Sequence, residues 1–265
     1  MAKSLVETQF GAHAAAYATS DVHAKGESIA RLVALVAPQP GWRVLDVATG
    51  AGHTALAFAP RVAHVVACDM TQEMLDQTRT LAAARGIGNL ETVRAAADAL
   101  PFADASFDAV VCRLALHHFP EPARFFREAA RVSKRSGVLG FVDNISPDAA
   151  FPPGMTADCI EEVAVAYNAF ERLRDPSHGR ALLLDELTKL AGEAGFEVSV
   201  AERAAKPMAF LPWAARMGCD AATTARLDGL LRNGLKHLRE FLMPHQVDGE
   251  LWFTLQEGII RAVKR

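Results

Sequence analysis

The chain reads as an α/β fold, a parallel sheet with crossover helices. Short β-branched runs alternate with helical stretches through its first half. The first run, Val44-Leu45-Asp46-Val47, breaks at the turn Ala48-Thr49-Gly50-Ala51-Gly52 and continues into an alanine-rich stretch, Thr54 to Ala59. A second run, Ala63 to Cys68, ends in the acidic Asp69. Strands spaced by helices argue for right-handed βαβ units.

The elements follow in order. A helix over Ala24–Val36 is stopped by Pro38, and a strand runs from Arg43 to Val47. A helix over His53–Ala59 leads to the Ala63–Cys68 strand. The next helix, Gln72–Arg85, has Thr71 as N-cap and Gly86 just past its end. Strands follow over Leu90–Arg94 and, after the polar turn Ala103-Asp104-Ala105-Ser106, over Phe107–Arg113. A helix over Glu121–Ser133 and a strand over Val138–Asp143 close this half. Beyond Asn144 the pattern loosens. Ser146 to Gly154 reads as a loop, Asp158–Arg172 as a helix, and Leu184–Ala194 as a helix stopped by Gly195. Phe196–Glu202 alternates as a strand. Thr223–Leu242 carries leucines at helical spacing until Pro244, and Leu251–Lys264 suits a last strand. Segments 145–180 and 205–245 are candidates for a helical cap.

With 265 residues, 51% of them hydrophobic, the chain fits one large domain with a sizeable core. The divisions expected are an N-terminal helical segment to about residue 40, a binding core over about 41–144, and a cap with sheet completion over about 145–265. A net charge of −3 with both signs interspersed gives no basic stripe for nucleic acid and no polybasic cluster for a membrane surface. The Met-Ala-Lys-Ser start lacks the apolar core of a signal peptide, and no apolar run reaches the roughly 18 residues of a spanning helix. The four cysteines are scattered, two of them inside expected strands, which suits reduced thiols and a cytoplasmic location. The nine histidines show no metal-ligand spacing, so no metal is expected.

A glycine-rich strand–helix turn lets a ligand sit against bare backbone. Asp69, at the end of the next strand, is placed to bind ribose hydroxyls. Together they predict a nucleoside cofactor at the carboxyl ends of parallel strands. Asp46, flanked by apolar residues, is costly to bury alone and is expected to accept hydrogen bonds from the loop backbone.

Four segments in order resemble the class I S-adenosylmethionine-dependent methyltransferases. They are Val44 to Gly52; Ala67-Cys68-Asp69-Met70 with Met74-Leu75; Ala97-Asp98-Ala99-Leu100-Pro101-Phe102; and Phe107 to Arg113 running into Ala115-Leu116-His117-His118-Phe119. Each alone is soft, but four at compatible spacing are specific. The subgroup resembled is the ubiquinone/menaquinone-biosynthesis methyltransferases and their small-molecule relatives, strongly from about Gly41 to Asp143. The resemblance implies a Rossmann-like, seven-stranded, mostly parallel sheet with helices on both faces and an antiparallel last strand. It implies S-adenosyl-L-methionine as cofactor, S-adenosyl-L-homocysteine as product, and a small-molecule acceptor. By position, Gly50, Ala51 and Gly52 border the methionine end, and Asp46 fixes the loop and the amino group. Asp69 accepts from the ribose, Met70 packs on adenine, and Met74 is a further cofactor-binding residue. Asp98 accepts from the adenine amino group, while the Ala99 N–H meets the ring nitrogen. Arg113 occupies the position whose carbonyl often faces the cofactor.

Competing readings stay open. A dinucleotide-dependent oxidoreductase would use G-x-G-x-x-G, but Gly50-Ala51-Gly52-His53-Thr54-Ala55 ends in Ala, and Asp46 with Asp98-Ala99 fits a methyltransferase better. A protein of the same scaffold that binds the cofactor without transferring methyl is a second alternative. His117 and His118 follow the fourth strand, where one of them can serve as general base or simply cap a helix. Tyr17, in the segment Phe10 to Tyr17, either closes the pocket or belongs to a partly ordered helix. Arg172, Arg174 and His178 either bind an anionic group at the pocket mouth or decorate a surface Asp-Pro-Ser turn, the more economical explanation. The leucines from Leu227 to Leu242 read most simply as packing. Neither the acceptor nor the oligomeric state is legible in the sequence.

Overall fold

The computed structural model describes residues 4–18 and 27–265. Of the expected Ala24–Val36 helix, residues 24–26 lie outside the described residues. The first elements are α1 (Leu5–Ala18), α2 (Glu27–Val36), β1 (Arg43–Val47), α3 (His53–Phe58), β2 (His64–Asp69) and α4 (Gln72–Ala84). They continue through β3 (Leu90–Arg94), β4 (Phe107–Arg113), α5 (Pro122–Val132) and β5 (Ser133–Asn144). The remainder comprises α6 (Ala157–Arg174), α7 (Leu184–Glu193), β6 (Phe196–Ala209), α8 (Phe210–Ala215), α9 (Ala221–Asn233), α10 (Lys236–Leu242), β7 (His245–Val247) and β8 (Glu250–Lys264).

One sheet runs in the order β3-β2-β1-β4-β5-β8-β6, and β7 pairs with β8. Strands β1 to β5 are parallel, whereas β8 is antiparallel to both β5 and β6. The strand order reverses between β1 and β4, which opens a crevice at their carboxyl ends. The seven strands of the main path match the expected sheet, and β7 is an addition. It forms a hairpin with β8 through Asp248-Gly249, both at positive φ. An Asp-Gly pair suits such a two-residue turn and was a readable signal.

Strand alternation fills both faces of the sheet. Leu45, Val110, Leu139 and Phe141 point into a cluster with Phe125 and Phe126 of α5 and Leu187 of α7. Val44, Val111 and Val142 point the other way, against Leu32 and Val36 of α2 and Phe58 of α3. A separate cluster makes the cap: Tyr167 and Phe170 from α6, Trp213 from α8, Leu227 and Leu231 from α9, and Phe241 from α10, closed by Phe253 and Leu255 of β8. Burying a side chain of this size stabilises by about 1.5–3 kcal/mol. Leu227, Leu230, Leu231, Leu238 and Leu242 of the leucine stripe are therefore packing, whereas Leu235 is exposed.

Three elements depart from the expected bounds. The helix expected over Thr223–Leu242 is two helices, divided at Gly234, where the backbone turns extended. A Cβ at Gly234 would stand 2.3 Å from the Leu230 carbonyl oxygen, so the bend requires glycine. Strand β6 continues past Glu202 to Ala209, held in register with β8 down to Ala209↔Trp252. Strand β5 starts at Ser133, with Phe107↔Ser133 as a bulged first pair. Thr71 stands at the N-cap of α4 without a side-chain cap bond.

Candidate functional site

The β1–α3 loop is built by its neighbours. Asp46 is buried, and its Oδ2 accepts from the Thr49 hydroxyl at 2.5 Å and from the Ala55 N–H at 2.9 Å. Burial pushes its carboxyl up to about 7, although those two bonds pull it down. Ala48, Gly50 and Gly52 all take positive φ. For Ala48 that is a strained conformation of the sort that collects at functional sites. The Gly50 N–H donates to Asp69 Oδ2 at 2.9 Å, and the Thr71 N–H donates to Asp69 Oδ1 at 2.8 Å. Thr78 on α4 donates to the Gly50 carbonyl at 2.9 Å. One carboxylate thus ties the first loop to the end of β2. Each of its oxygens has taken one backbone donor and keeps further acceptor capacity.

A cavity of about 340 Å³ opens over the carboxyl ends of the parallel strands. One half is walled by Ala48 to Ala51, by Asp69, Met70 and Met74, and by Ala95 to Asp98. Helix α1 covers it with Phe10 and Tyr17. The Tyr17 hydroxyl donates to Met217 Sδ at 3.1 Å, and Phe10 meets the Tyr17 and His118 rings edge-on at 5.3 and 5.0 Å. Gly50 lines this half, and a Cβ built on it meets no protein atom within 4 Å. With bare backbone, a spare carboxylate acceptor at Asp69 and the exposed Asp98 on one wall, the residues present fit an adenosyl group carrying an amino-acid tail.

The other half is polar and crowded with titratable groups. Leu114, at φ 57, turns the chain out of β4 into a short helical turn over Leu116–His118. The His117 N–H and ring Nδ1 both bind Asp143 of β5, at 2.7 and 2.5 Å. Burial pushes the His117 imidazole down, but the charge and hydrogen bond of Asp143 outweigh it and the net shift is up. His118 bonds the Ser177 carbonyl at 3.0 Å, and His178 donates from Nε2 to Asn168 Oδ1 at 2.9 Å. Burial and the neighbouring His117 push both rings down, His118 to about 4 and His178 to about 2, so both are neutral at physiological pH. The His117 ring centroid lies 4.2 Å from that of His118 and 5.3 Å from that of His178. Among the described residues no group of His, Cys, Asp or Glu is arranged to hold a metal ion.

The cavity gathers most of the residues singled out in the sequence: Tyr17, Gly50, Ala51, Asp69, Met70, Met74, Asp98, Arg113, His117, His118 and His178 all line it. Arg113 sits in the wall with Nε donating to Thr54 Oγ1 at 3.1 Å. Asp46 stands behind the loop, outside the lining, and Gly52 packs against Thr78. Ala99 is also outside, its N–H turned to the Ala96 carbonyl at 3.3 Å. Arg172 is exposed and spends its guanidinium on the carbonyls of His178 and Gly179 at 3.3 and 2.9 Å, so it braces the Asp-Pro-Ser turn. Asp143, Asn144, Glu171, Lys206 and Arg216 were not singled out. Asp143 did carry a signal, an acid closing a strand of the same sheet. Asn144 follows it on the same strand, whereas Glu171, Lys206 and Arg216 come from distant segments with no local motif.

The profile of a methyltransferase domain matches residues 45–141, from β1 to β5. The curated protein named uncharacterized methyltransferase YcgJ, from Bacillus subtilis, is 31% identical over 98% of this chain and 99% of its own. The crystal structure of YcgJ superposes with a TM-score of 0.80 at 29% identity, covering 90% of this chain and 98% of that one. A demethylmenaquinone methyltransferase of Clavibacter sepedonicus is 43% identical over 42% of this chain and 45% of its own length. Full-length kinship to a methyltransferase, joined to this sheet order and loop, makes the chain a member of the class I S-adenosylmethionine-dependent methyltransferases.

Proposed function

We propose that the protein transfers a methyl group from S-adenosyl-L-methionine to a small-molecule acceptor by direct in-line displacement, without a metal. The observation that carries this is a single cavity with the Asp69-anchored loop on one wall and the His117–Asp143 pair on another. Its volume of about 340 Å³ suits small molecules. Asp69 accepts from the ribose hydroxyls, and Asp98 from the adenine amino group. Met70 and Met74 border the adenine, and Gly50 and Ala51 leave room for the methionine tail. Asp46 fixes the loop from behind. When bound, the cofactor supplies a methyl group already activated by its sulfonium.

The chain's own work is positioning and water exclusion, which can supply several kcal/mol of barrier lowering. Phe10, Tyr17 and Trp213 all line the cavity and help to keep water out. Asp143 holds the Nδ1–H of His117, so Nε2 is the nitrogen left to take a proton from an acceptor hydroxyl or amine. His118 and His178, held neutral, add no competing charge. Residues 1–265 work as one domain, and the free, scattered cysteines suit the cytoplasm. Among the described residues no helix is long and apolar enough to cross a membrane.

Calorimetric titration with S-adenosyl-L-homocysteine, followed by incubation with S-adenosyl-L-methionine and a panel of hydroxylated and amino compounds, tests this reading. Association heat and time-dependent S-adenosyl-L-homocysteine formation are expected. Acceptor turnover with the cofactor unconsumed would establish the non-methylating alternative. Thermal protection by NAD in place of S-adenosyl-L-homocysteine would establish the oxidoreductase.

A further inference from the structure

The acceptor half of the cavity carries an ordered line of charge. His117, Glu171, Arg174 and Arg216 follow one another, each within electrostatic reach of the next. All four line the cavity. At one end stands the proton-accepting His117. At the other, two guanidinium groups face the same space and repel each other. Among the described residues neither is in an ion pair, although Glu171 and Asp175 lie near Arg174. Arg174 is pre-aimed: its Nε donates to the Trp213 carbonyl at 3.0 Å, and its guanidinium lies 4.6 Å from the Trp213 ring centroid. The Tyr17 hydroxyl takes one outer N–H of the fork, and the remaining N–H groups are left for another partner. Arg216 makes no side-chain hydrogen bond among the described residues.

A second observation points into the same space. Glu171 and Asn144 are only 2% and 7% exposed, both line the cavity, and each leaves a buried oxygen, Oε1 and Oδ1, without a donor. Buried acceptors are nearly always satisfied, so a ligand donor is missing there. The half-cavity therefore presents two guanidinium groups without an ion-pair partner among the described residues and, toward its histidine end, two buried acceptors without a donor. Met208, Trp213 and Leu255 supply an apolar wall between.

We propose that the acceptor is a small organic acid. Its carboxylate lies between Arg174 and Arg216, and its apolar body lies against Trp213. Its nucleophilic hydroxyl or amine presents its proton to His117, and a further polar hydrogen of the same molecule meets Glu171 or Asn144. In the transfer step the nucleophile's lone pair forms the new bond to the methyl carbon, the S–CH3 bond breaks with its electron pair staying on sulfur, and the nucleophile's proton passes to His117 Nε2. This assignment rests on the methyltransferase reading and adds the substrate class.

The test uses the full chain saturated with S-adenosyl-L-homocysteine. Salicylate, mandelate and phenyl-lactate are titrated calorimetrically, each against its primary amide, into the wild type and into Arg174→Gln and Arg216→Gln. At least one acid is expected to bind about tenfold tighter than its amide, a preference that each variant erases while S-adenosyl-L-homocysteine affinity stays within about twofold. Equal binding of every acid and amide overturns the proposal, as does a preference that survives both substitutions. Parallel loss of S-adenosyl-L-homocysteine affinity overturns it too, by assigning the arginines to the cofactor's own carboxylate. Retained cofactor binding without acid preference defeats this proposal alone; a wild type that binds no S-adenosyl-L-homocysteine defeats the methyltransferase reading as well.

Discussion

Asp143 grips His117 twice, its Oδ2 taking the backbone N–H at 2.7 Å and its Oδ1 the ring Nδ1 at 2.5 Å. The first bond fixes where the residue sits, and the second fixes which ring nitrogen faces the cavity. Burial alone would push the imidazole below 6.5, and Asp143 reverses the sign. A general base works when neutral, so kcat is expected to rise with pH through an apparent pKa above the ordinary histidine value. Asp143→Asn should move that pKa down and lower kcat by about tenfold to a hundredfold. A pH–rate profile of wild type and variant, at saturating cofactor, checks both shifts. An unchanged profile would return the pair to a structural role.

Asp46 should make the protein less stable as pH rises. Its carboxyl titrates near 3.8 when unfolded and is pushed by burial up to about 7 in the fold. Between these values the native state holds a proton that the unfolded chain has lost. The contribution of Asp46 is therefore fully present below about pH 4 and is lost as pH rises toward about 7, by up to about 1.4 kcal/mol per unit. Asp46→Asn should flatten that slope, as read by urea unfolding of the cofactor-free protein across the interval.

Gly52→Ala is expected to damage the loop. The residue takes φ +86, and an added Cβ would stand 2.6 Å from Thr78 Cγ2. The left-handed backbone alone costs about 1–2 kcal/mol for a side-chain-bearing residue. The methyl also pushes on Thr78, whose hydroxyl holds the Gly50 carbonyl. Differential scanning calorimetry should show a lower Tm. Gly52→Ala with Thr78→Ala should recover the steric part but not the backbone part.

Phe10→Ala tests the cover over the cavity. Phe10 contacts the turn after β4 through His118 and its own helix through Tyr17, and it is only partly buried. Truncation should leave the Tm nearly unchanged but weaken S-adenosyl-L-homocysteine binding, on the order of tenfold, through a faster dissociation rate. Stopped-flow displacement measures that rate.

The half of the cavity around the β1–α3 loop was legible because its signals are local. A strand, a glycine turn and an acid at the next strand end are contiguous motifs, and the sheet brings Asp69 to Gly50 by pairing β1 with β2. The other half was legible only at His117, His118, Arg174 and His178, because Glu171, Lys206 and Arg216 converge on it from segments far apart in sequence. Lys206 lies in a stretch, Ala204-Ala205-Lys206-Pro207, with poor strand propensity. Pairing with β8 carries β6 through it nonetheless, and Pro207 is tolerated because β6 is the last strand of the path. The bend at Gly234 was hidden for a related reason. The leucine spacing continues across it, and glycine inside a helical pattern announces no angle. Ala99 misled because a motif assigns a residue to a loop but not the direction of its N–H, which here closes a local turn.

Strands β6 and β8 run unbroken from the sheet's interior into the cap. Ile260 and Ala262 belong to the sheet's own cluster, while Phe253 and Leu255 of the same strand, with Met208 of β6, belong to the cap's. The cap is therefore joined to the sheet by two continuous strands paired with each other, not by a flexible joint. Evolution can alter what such a chamber admits by exchanging individual side chains on its inner surface. Grafting a whole new roof would mean severing hydrogen-bonded backbone on both strands, so selectivity in this architecture changes by increments.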